Sequence, residues 1–282
     1  DDAGLVENNK ETIYSVDASV SGIHFPENLS PHFIAYRSVS TAASDIAACG
    51  GSLKWILISL TVSNKDLSWM RSFVGGLKNF SDDYSCPVLG GDLSKGAQEN
   101  ISVTVCGELN KGNFLKRSGA KEGDSIFLTG TLGQAKKGLE LIEKNISQID
   151  LSSSHVKKFL SPKLNFEFAK EISSIASSCI DISDGLISDL GHILEASKVG
   201  GEINVEKIPL VGEVEDALTW GDDYELLLTT PLDQKKRLIE VSERFDVGIS
   251  EIGKITKEPN LRVIKKGSLI SFPKSGYNHF NE

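Results

Sequence analysis

The chain has 282 residues and a formal net charge of −9, with 39% hydrophobic and 24% charged residues. This composition is typical of an ordinary globular protein, and the length is enough for two domains with a core each. The negative charge argues against a surface for nucleic acid or anionic membrane, because both need clustered Lys and Arg. No apolar run reaches the roughly 18 residues of a membrane span, so we expect no membrane partner.

Strand and helix patterns alternate irregularly along the first half of the chain. Alternation of apolar and polar residues predicts strands, and alanine-rich or amphipathic stretches predict helices. The strands are predicted at 12–17, 53–62, 87–89 and 101–109, and the helices at 31–48 and 66–83. The strand at 87–89 is expected to stop at Gly90-Gly91, since glycine pairs are typical of turns.

The polar stretch Asn110-Lys111-Gly112-Asn113 is the best candidate for a domain boundary, which divides the chain into 1–112 and 113–282. Beyond it, strands are predicted at 125–129, 179–182, 224–229 and 249–255, with helices after 133, twice within 153–176, and at 184–197 and 232–244. The irregular alternation in both halves predicts an α+β fold with two domains.

Ten aspartates lie where predicted strands end or helices begin, in short clusters that also carry glycine or serine. Convergence of so many carboxylates would raise their pKa values sharply unless a divalent cation compensated their charge. Oxygen ligands without organised His or Cys fit magnesium, which typically bridges carboxylates to substrate phosphates. The aspartates are Asp1, Asp2, Asp17, Asp45, Asp92, Asp181, Asp184, Asp189, Asp222 and Asp223.

Some of these clusters indicate a site more strongly than others. Asp45 lies on a helix of small residues, where a buried carboxylate needs a donor or a metal, although an exposed helical Asp is an equal alternative. Gly90-Gly91-Asp92 could let a ligand approach the backbone, but alone it fits a tight turn better. The segment from Asp181 to Asp184 places alternate polar side chains at a strand end that leads into a helix. Helix capping alone would not explain Asp181, so here we favour a ligand site.

Other motifs carry weaker signals. Arg117 could hold a phosphate, although a single Arg before a turn is usually solvated. Gly130-Thr131-Leu132-Gly133 precedes a helix like a phosphate loop but lacks the lysine and spacing of one. Asp189 is expected on an exposed helix face and Asp124 in a turn. The four widely spaced cysteines indicate reduced, buried thiols in a cytosolic protein.

Taken together and in order, these motifs resemble the thiamine-monophosphate kinase family. That family belongs to the superfamily of aminoimidazole ribonucleotide synthetase and selenophosphate synthetase. Each motif is short, but the ordered set is specific and runs along nearly the whole chain. It comprises Asp1-Asp2-Ala3, Ser15-Val16-Asp17, Gly22-Ile23-His24-Phe25, Ser44-Asp45-Ile46-Ala47-Ala48, Gly90-Gly91-Asp92, Arg117-Ser118-Gly119-Ala120, Asp181 to Leu186, Gly221 to Leu226, and Gly276-Tyr277-Asn278-His279-Phe280.

The resemblance implies a set of site residues. Several magnesium ions would be held by Asp2, Ser15, Asp17, Asp45, Asp92, Asp181 and Asp184. ATP, the co-substrate, would be contacted by Gly91, Asp92, Arg117 and Ser183, and thiamine monophosphate by His24, Asp222 and Tyr277. Asp222 stands where the family commonly has Glu, and Leu93 where it usually has Thr.

The resemblance also implies an architecture and an activity. The amino-terminal α+β domain would form a homodimer through its strands, with a carboxy-terminal α/β domain completing the nucleotide site. ATP would phosphorylate thiamine monophosphate by direct in-line transfer, without a side-chain base. Two alternatives stay open: a related ATP-dependent synthetase of the selenophosphate or aminoimidazole ribonucleotide type, and a non-catalytic nucleotide-binding homologue.

Overall fold

The computed structural model describes residues 4–7, 11–63, 66–272 and 276–277, with residues 4–7 as backbone only. Each half of the chain contributes one β-sheet with its own flanking helices. The predicted α+β class with two domains is confirmed, while the boundary after Gly112 stays a prediction. Among the described helices, none combines the length and apolar content that crossing a membrane requires.

The first half forms a five-stranded sheet in the order β1-β2-β5-β3-β4. Its strands are β1 (Gly4–Glu7), β2 (Glu11–Val20), β3 (Ser52–Val62), β4 (Val88–Lys95) and β5 (Asn100–Glu108), and its helices are α1 (Pro31–Ala48) and α2 (Leu67–Tyr84). Pro31 sits in the first turn of α1, where its missing N–H costs nothing. The Asp66 carboxylate caps α2 by accepting the Trp69 N–H at 2.8 Å.

The strand at 87–89 was predicted too short, because β4 continues through Gly90-Gly91 to Lys95. A Cβ added to Gly91 would lie 1.8 Å from the carbonyl oxygen of Ile58 on β3. Gly91 therefore permits a close approach of two parallel strands at the sheet edge, and the strand continues through the glycine pair instead of ending there.

Within the part of the chain that the structure describes, the first sheet is buried on one face only. Alternate residues of its strands, such as Ile56 and Val103, are fully buried on the side of α1. On the other face, Val16 lies in register with Thr104 and Thr104 with Leu57, and the side chains of Val16 and Leu57 are 65% and 38% exposed. Exposed apolar side chains on one face of a sheet mark a surface suited to a partner.

The second half forms a mixed seven-stranded sheet in the order β12-β11-β8-β10-β6-β9-β7. Its strands are β6 (Ser125–Thr129), β7 (Ser178–Asp181), β8 (Gly200–Asn204), β9 (Leu226–Thr230), β10 (Ile249–Thr256), β11 (Leu261–Lys265) and β12 (Ser268–Ile270). Its helices are α3 (Gln134–Lys144), α4 (Ser154–Leu160), α5 (Phe166–Ile172), α6 (Leu186–Ser197), α7 (Val214–Thr219) and α8 (Lys235–Arg244). The sequence did not predict β8, β11 or β12, which are short and owe their stability to pairing with neighbours.

Helix α1 joins the two halves. It packs against the first sheet on one side and against β7, α4 and α5 of the second half on another. Its small residues, including Ala42, Ala43 and Ala47, are buried and let these elements approach closely. A cavity lies along this junction.

Candidate functional site

A cavity of about 280 Å³ lies where α1 meets the loops of the second half. Eight of the predicted site residues line it, from both halves of the chain. They are Asp17, His24, Asp45, Asp181, Ser183, Asp184, Asp222 and Tyr277. The fold thus brings metal and substrate candidates that are up to 260 positions apart in sequence to one place.

Helix α1 presents a polar stripe to the cavity. Arg37, Thr41 and Asp45 follow one another at intervals of four residues, so they share one helix face, and all three line the cavity. The Ser15 hydroxyl on β2 donates a hydrogen bond of 2.5 Å to the Asp45 carboxylate. Asp17 follows Ser15 on the same side of β2, because side chains alternate along a strand.

The Asp181 carboxylate lies at the end of β7, 2% exposed, and accepts a 2.5 Å hydrogen bond from the Ser44 hydroxyl of α1. One hydroxyl–carboxylate pair thus links α1 to the second sheet. Beside it, Tyr277 is held by its backbone N–H, which donates to the Asp184 carbonyl oxygen at 2.9 Å.

The expectation that Asp189 is exposed was wrong. Its side chain is 1% exposed, and one carboxylate oxygen accepts the backbone N–H groups of Ser183, Asp184 and Gly185 at 3.0–3.2 Å. Burial, together with the charges of Asp181 and Asp184, raises the pKa of Asp189 to about 8, although these N–H donors oppose the rise. Asp189 therefore fixes the loop that presents Ser183 and Asp184 to the cavity.

The loop 221–225 directs its acidic side chains to different partners. Asp222 pairs with Arg37 at 2.5 Å, and Glu225 pairs with Lys158. Asp223 accepts the backbone N–H groups of Gly133 and Ala135 at 2.6 and 3.0 Å. The Asp223 carboxylate therefore lies at the amino-terminal end of α3, in the place that a bound anion would take. The weak resemblance of 130–133 to a phosphate loop is thus explained without a phosphate.

Two aromatic side chains at the cavity are unusually exposed. Trp220 is 41% and Tyr277 is 45% exposed, and both line it. The ammonium group of Lys136 lies 4.9 Å from the centre of the Trp220 ring. An exposed aromatic face next to an acidic cavity favours flat cationic ligands.

Sequence reasoning missed Arg37, Trp220 and the positioning roles of Asp189 and Asp223. Arg37 could have been found, since it interrupts the small and apolar residues of α1 eight positions before Asp45. No sequence pattern marked Trp220, because its place at the cavity depends on how its loop folds.

Three of the predicted nucleotide contacts lie elsewhere. Gly91 and Asp92 are on the exposed edge strand β4, where Asp92 accepts a hydrogen bond of 2.8 Å from the Ser94 hydroxyl. Arg117 belongs to a loop anchored by Ser197 at the end of α6, whose hydroxyl oxygen accepts the N–H groups of Gly119 and Ala120. Asp2 lies outside the described residues.

The described lining residues make the cavity strongly acidic. Arg37 supplies a single guanidinium against six carboxylates, which come from Asp17, Asp45, Glu143, Asp181, Asp184 and Asp222. Such a cluster is costly unless cations share it. Its ligand atoms are carboxylate and hydroxyl oxygens, which fit a hard divalent ion such as magnesium.

Comparison with known proteins shows the family of this chain. The family models "AIR synthase related protein, N-terminal domain" and "AIR synthase related protein, C-terminal domain" match residues 1–109 and 121–266. The thiamine-monophosphate kinase of Buchnera aphidicola subsp. Schizaphis graminum is 35% identical over 295 residues, which covers 99% of this chain and 91% of the relative. The thiamine-monophosphate kinase of Escherichia coli K12 is 33% identical, with 99% and 90% covered.

A solved structure, described as AaThiL complexed with AMPPCP and TMP, superposes with a TM-score of 0.88. It is 32% identical, and the match covers 99% of this chain and 91% of that one. A match over 99% of this chain includes both sheets. The chain therefore belongs to the thiamine-monophosphate kinase family, within the AIR synthase related proteins, as the ordered motifs predicted.

Proposed function

We propose that this chain transfers the terminal phosphoryl group of ATP to thiamine monophosphate and releases thiamine diphosphate and ADP. The observation that carries the proposal is the convergence of His24, Asp222 and Tyr277 with four acidic residues on one cavity. Full-length similarity to thiamine-monophosphate kinases supports the same substrates.

The reaction needs no side-chain base. The second pKa of a phosphate ester is about 6, so the acceptor is largely dianionic at neutral pH. One of its oxygens attacks the γ-phosphorus of ATP, and the bond from that phosphorus to the β–γ bridging oxygen breaks. The protein must align two polyanions and compensate their repulsion, which accounts for an acidic, metal-suited site.

We infer that magnesium is held by Asp17, Asp45, Asp181 and Asp184, whose oxygens reach the cavity from both halves. When bound, the ions neutralise charge on the transferring phosphoryl group. Ser15 and Ser44 orient Asp45 and Asp181 by donating hydrogen bonds to them. Asp2, Ser15 and Asp92 remain proposed ligands from the family resemblance.

The exposed rings at the cavity fit the organic part of the substrate. Thiamine carries a cationic thiazolium ring, which an aromatic face attracts by about 0.5–2 kcal/mol, depending on desolvation. We propose that Tyr277, His24 and Asp222 contact thiamine monophosphate. ATP would be contacted by Ser183, Gly91, Asp92 and Arg117.

A homodimer is proposed on the open face of the first sheet, where Val16 and Leu57 are exposed. Asp92 and Gly91 lie on the strand at the edge of that sheet, so pairing of two copies would bring them near a second chain. A cytosolic location is inferred from four buried thiols, which suit a reducing compartment.

The test is product formation by the full chain. With ATP, magnesium and thiamine monophosphate, we expect thiamine diphosphate and ADP in equal amounts, measured by separating the thiamine phosphates chromatographically. Unphosphorylated thiamine should give no product, since it lacks the attacking phosphate. ATP consumption only with selenide or a formylglycinamidine ribonucleotide, or with no acceptor at all, would overturn the proposal.

A further inference from the structure

Arg37 lies at the centre of the contacts that join the two halves beside the cavity. Its side chain is 4% exposed, and its guanidinium donates to three separate segments. The acceptors are the carbonyl oxygens of His24 at 3.3 Å and Phe159 at 2.6 Å, and the Asp222 carboxylate at 2.5 Å. The guanidinium carbon also lies 3.9 Å from the centre of the Phe159 ring.

Two of these segments carry proposed substrate contacts, His24 and Asp222. The planar guanidinium fork fixes both direction and distance of its partners, which a single ammonium group cannot do. The contact with the His24 carbonyl is the longest of the three, so the position that Arg37 fixes most firmly is that of the Asp222 carboxylate relative to Asp45, which lies two turns further along α1.

The loop that carries Asp222 has an unfavourable backbone conformation. Gly221, Asp222 and Tyr224 have φ values of +81°, +65° and +49°, in the left-handed region. A non-glycine residue in this region persists only where its surroundings enforce it. Backbone hydrogen bonds to Ser183 and Ile182 hold the loop, and the ion pair with Arg37 holds the Asp222 side chain.

We propose that Arg37 is a positioning residue for thiamine monophosphate, which acts by holding the Asp222 carboxylate towards the substrate. The inference rests on the proposed function, since it assigns Asp222 to the thiamine phosphate. Arg37 occupies one carboxylate oxygen and so leaves the other oxygen of Asp222 for the ligand. ATP binding does not depend on this pair.

A structural tie between the halves is the competing explanation, and the two predict different measurements. If Arg37 only ties the two halves together, replacing it should weaken the binding of ATP and of thiamine monophosphate alike, in proportion to the loss of stability. A positioning residue raises the KM of thiamine monophosphate selectively, and its effect disappears once Asp222 has lost its charge.

The experiment compares Arg37→Lys, Arg37→Met, Asp222→Asn and the double variant Arg37→Met/Asp222→Asn in the full chain. We expect Arg37→Met to raise KM and Kd for thiamine monophosphate at least tenfold, with the ATP values within about twofold of wild type. Arg37→Lys should recover part of this loss. The double variant should bind thiamine monophosphate no worse than Asp222→Asn alone. If instead the fold-losses in affinity of the two single variants multiply in the double variant, the proposal is overturned.

Controls separate the remaining outcomes. Arg262→Met removes an exposed guanidinium that pairs with Glu202 and should change the affinity for neither ATP nor thiamine monophosphate. If Arg37→Met does not fold, Arg37→Lys and the double variant, which leaves no unpaired carboxylate, give the same comparison. Equal losses for ATP and thiamine monophosphate would overturn the inference. Turnover by wild type tests the proposed function separately, and titration of thiamine monophosphate tests Arg37 whether or not turnover occurs.

Discussion

At the scale of single residues, the partner decides what each aspartate does. Asp45 and Asp181 each accept a serine hydroxyl and face the cavity, whereas Asp189 and Asp223 accept backbone N–H groups and hold loops. Asp222 is paired with Arg37. Chemically identical side chains therefore divide into those suited to bind a metal and those that fix the site.

Asp45→Asn should abolish turnover without unfolding the protein. The asparagine oxygen can still accept the Ser15 hydroxyl, but the charge proposed to bind magnesium is gone. Loss of such a ligand should cost several kcal/mol of transition-state stabilisation. The measurements are kcat over a magnesium titration and the melting temperature, with exposed Asp82→Asn as the control. Near-normal activity of Asp45→Asn at modest magnesium would contradict the assignment.

Asp223 should make the fold less stable as pH rises. Burial raises the pKa of Asp223 to about 6, although the N–H groups of Ala135 and Gly133 oppose the rise, while in the unfolded chain an Asp has a pKa of about 3.9. Between these values the folded state binds more protons, so the contribution of Asp223 to the free energy of unfolding falls from about pH 4 to about pH 6, by on the order of 3 kcal/mol. Above this range it is constant.

Urea unfolding of wild type and Asp223→Asn across this pH range measures the effect. The wild-type free energy minus that of the variant should decrease with rising pH, because Asn does not titrate. The exposed Asp233→Asn provides the control, and its difference from wild type should show no such fall. A difference for Asp223→Asn that grew with pH would refute the sign.

At the scale of elements, α1 is the part of the fold on which the site depends. It carries Arg37, Ser44 and Asp45, and it must sit closely against β7 and α2 at once. Gly76 on α2 permits this contact, since an added Cβ would lie 2.0 Å from the carbonyl oxygen of His32. The neighbouring Gly75 has only the His32 ring nitrogen nearby, at 3.5 Å.

The two glycines should therefore respond oppositely to alanine. Gly76→Ala should destabilise the protein by about 1–3 kcal/mol, because α1 and α2 must separate. Gly75→Ala should be neutral or stabilise it by up to about 1 kcal/mol, since alanine favours a helix over glycine. Chemical unfolding of both variants checks this, and equal effects would show that the packing of α2 on α1 tolerates the extra methyl group.

At the scale of the whole molecule, none of the described elements covers the open face of the first sheet. Leu57 lies on β3, an interior strand of that sheet, and is nevertheless 38% exposed; Val16 lies on the same face two strands away, beyond Thr104. An apolar sheet face of this kind is expected to associate with a second copy.

Leu57→Asp should convert the proposed dimer to a monomer, because pairing would bury an uncompensated charge from each copy. Light scattering coupled to size-exclusion chromatography gives the mass. Leu232→Asp introduces the same charge at a 68% exposed leucine in the second half and should leave the dimer intact. A wild-type monomer at micromolar concentration, or a dimer that survives Leu57→Asp, would contradict the interface.

The sequence by itself was enough to predict the family, the α+β class and most elements, including α1 at Pro31–Ala48 without error. These properties follow from local patterns and from the order of short motifs. For Asp181 the sequence favoured a ligand site over helix capping, and for Asp45 a partnered carboxylate and an exposed helical one stood as equal alternatives; in the structure each accepts a serine hydroxyl.

Only the tertiary structure decided which residues meet. The sequence predicts Asp189 on an exposed helix face, but the turn before α6 directs three backbone N–H groups at its carboxylate. The sequence predicts a turn at Gly90-Gly91, but the strand continues and Gly91 lies against the backbone of β3. Arg37 and Asp222 are 185 positions apart, so no local pattern relates them. Hydrophobic periodicity is a property of neighbours in sequence, whereas the charge and geometry of a site depend on contacts between distant segments, and those exist only once α1 has packed against both sheets.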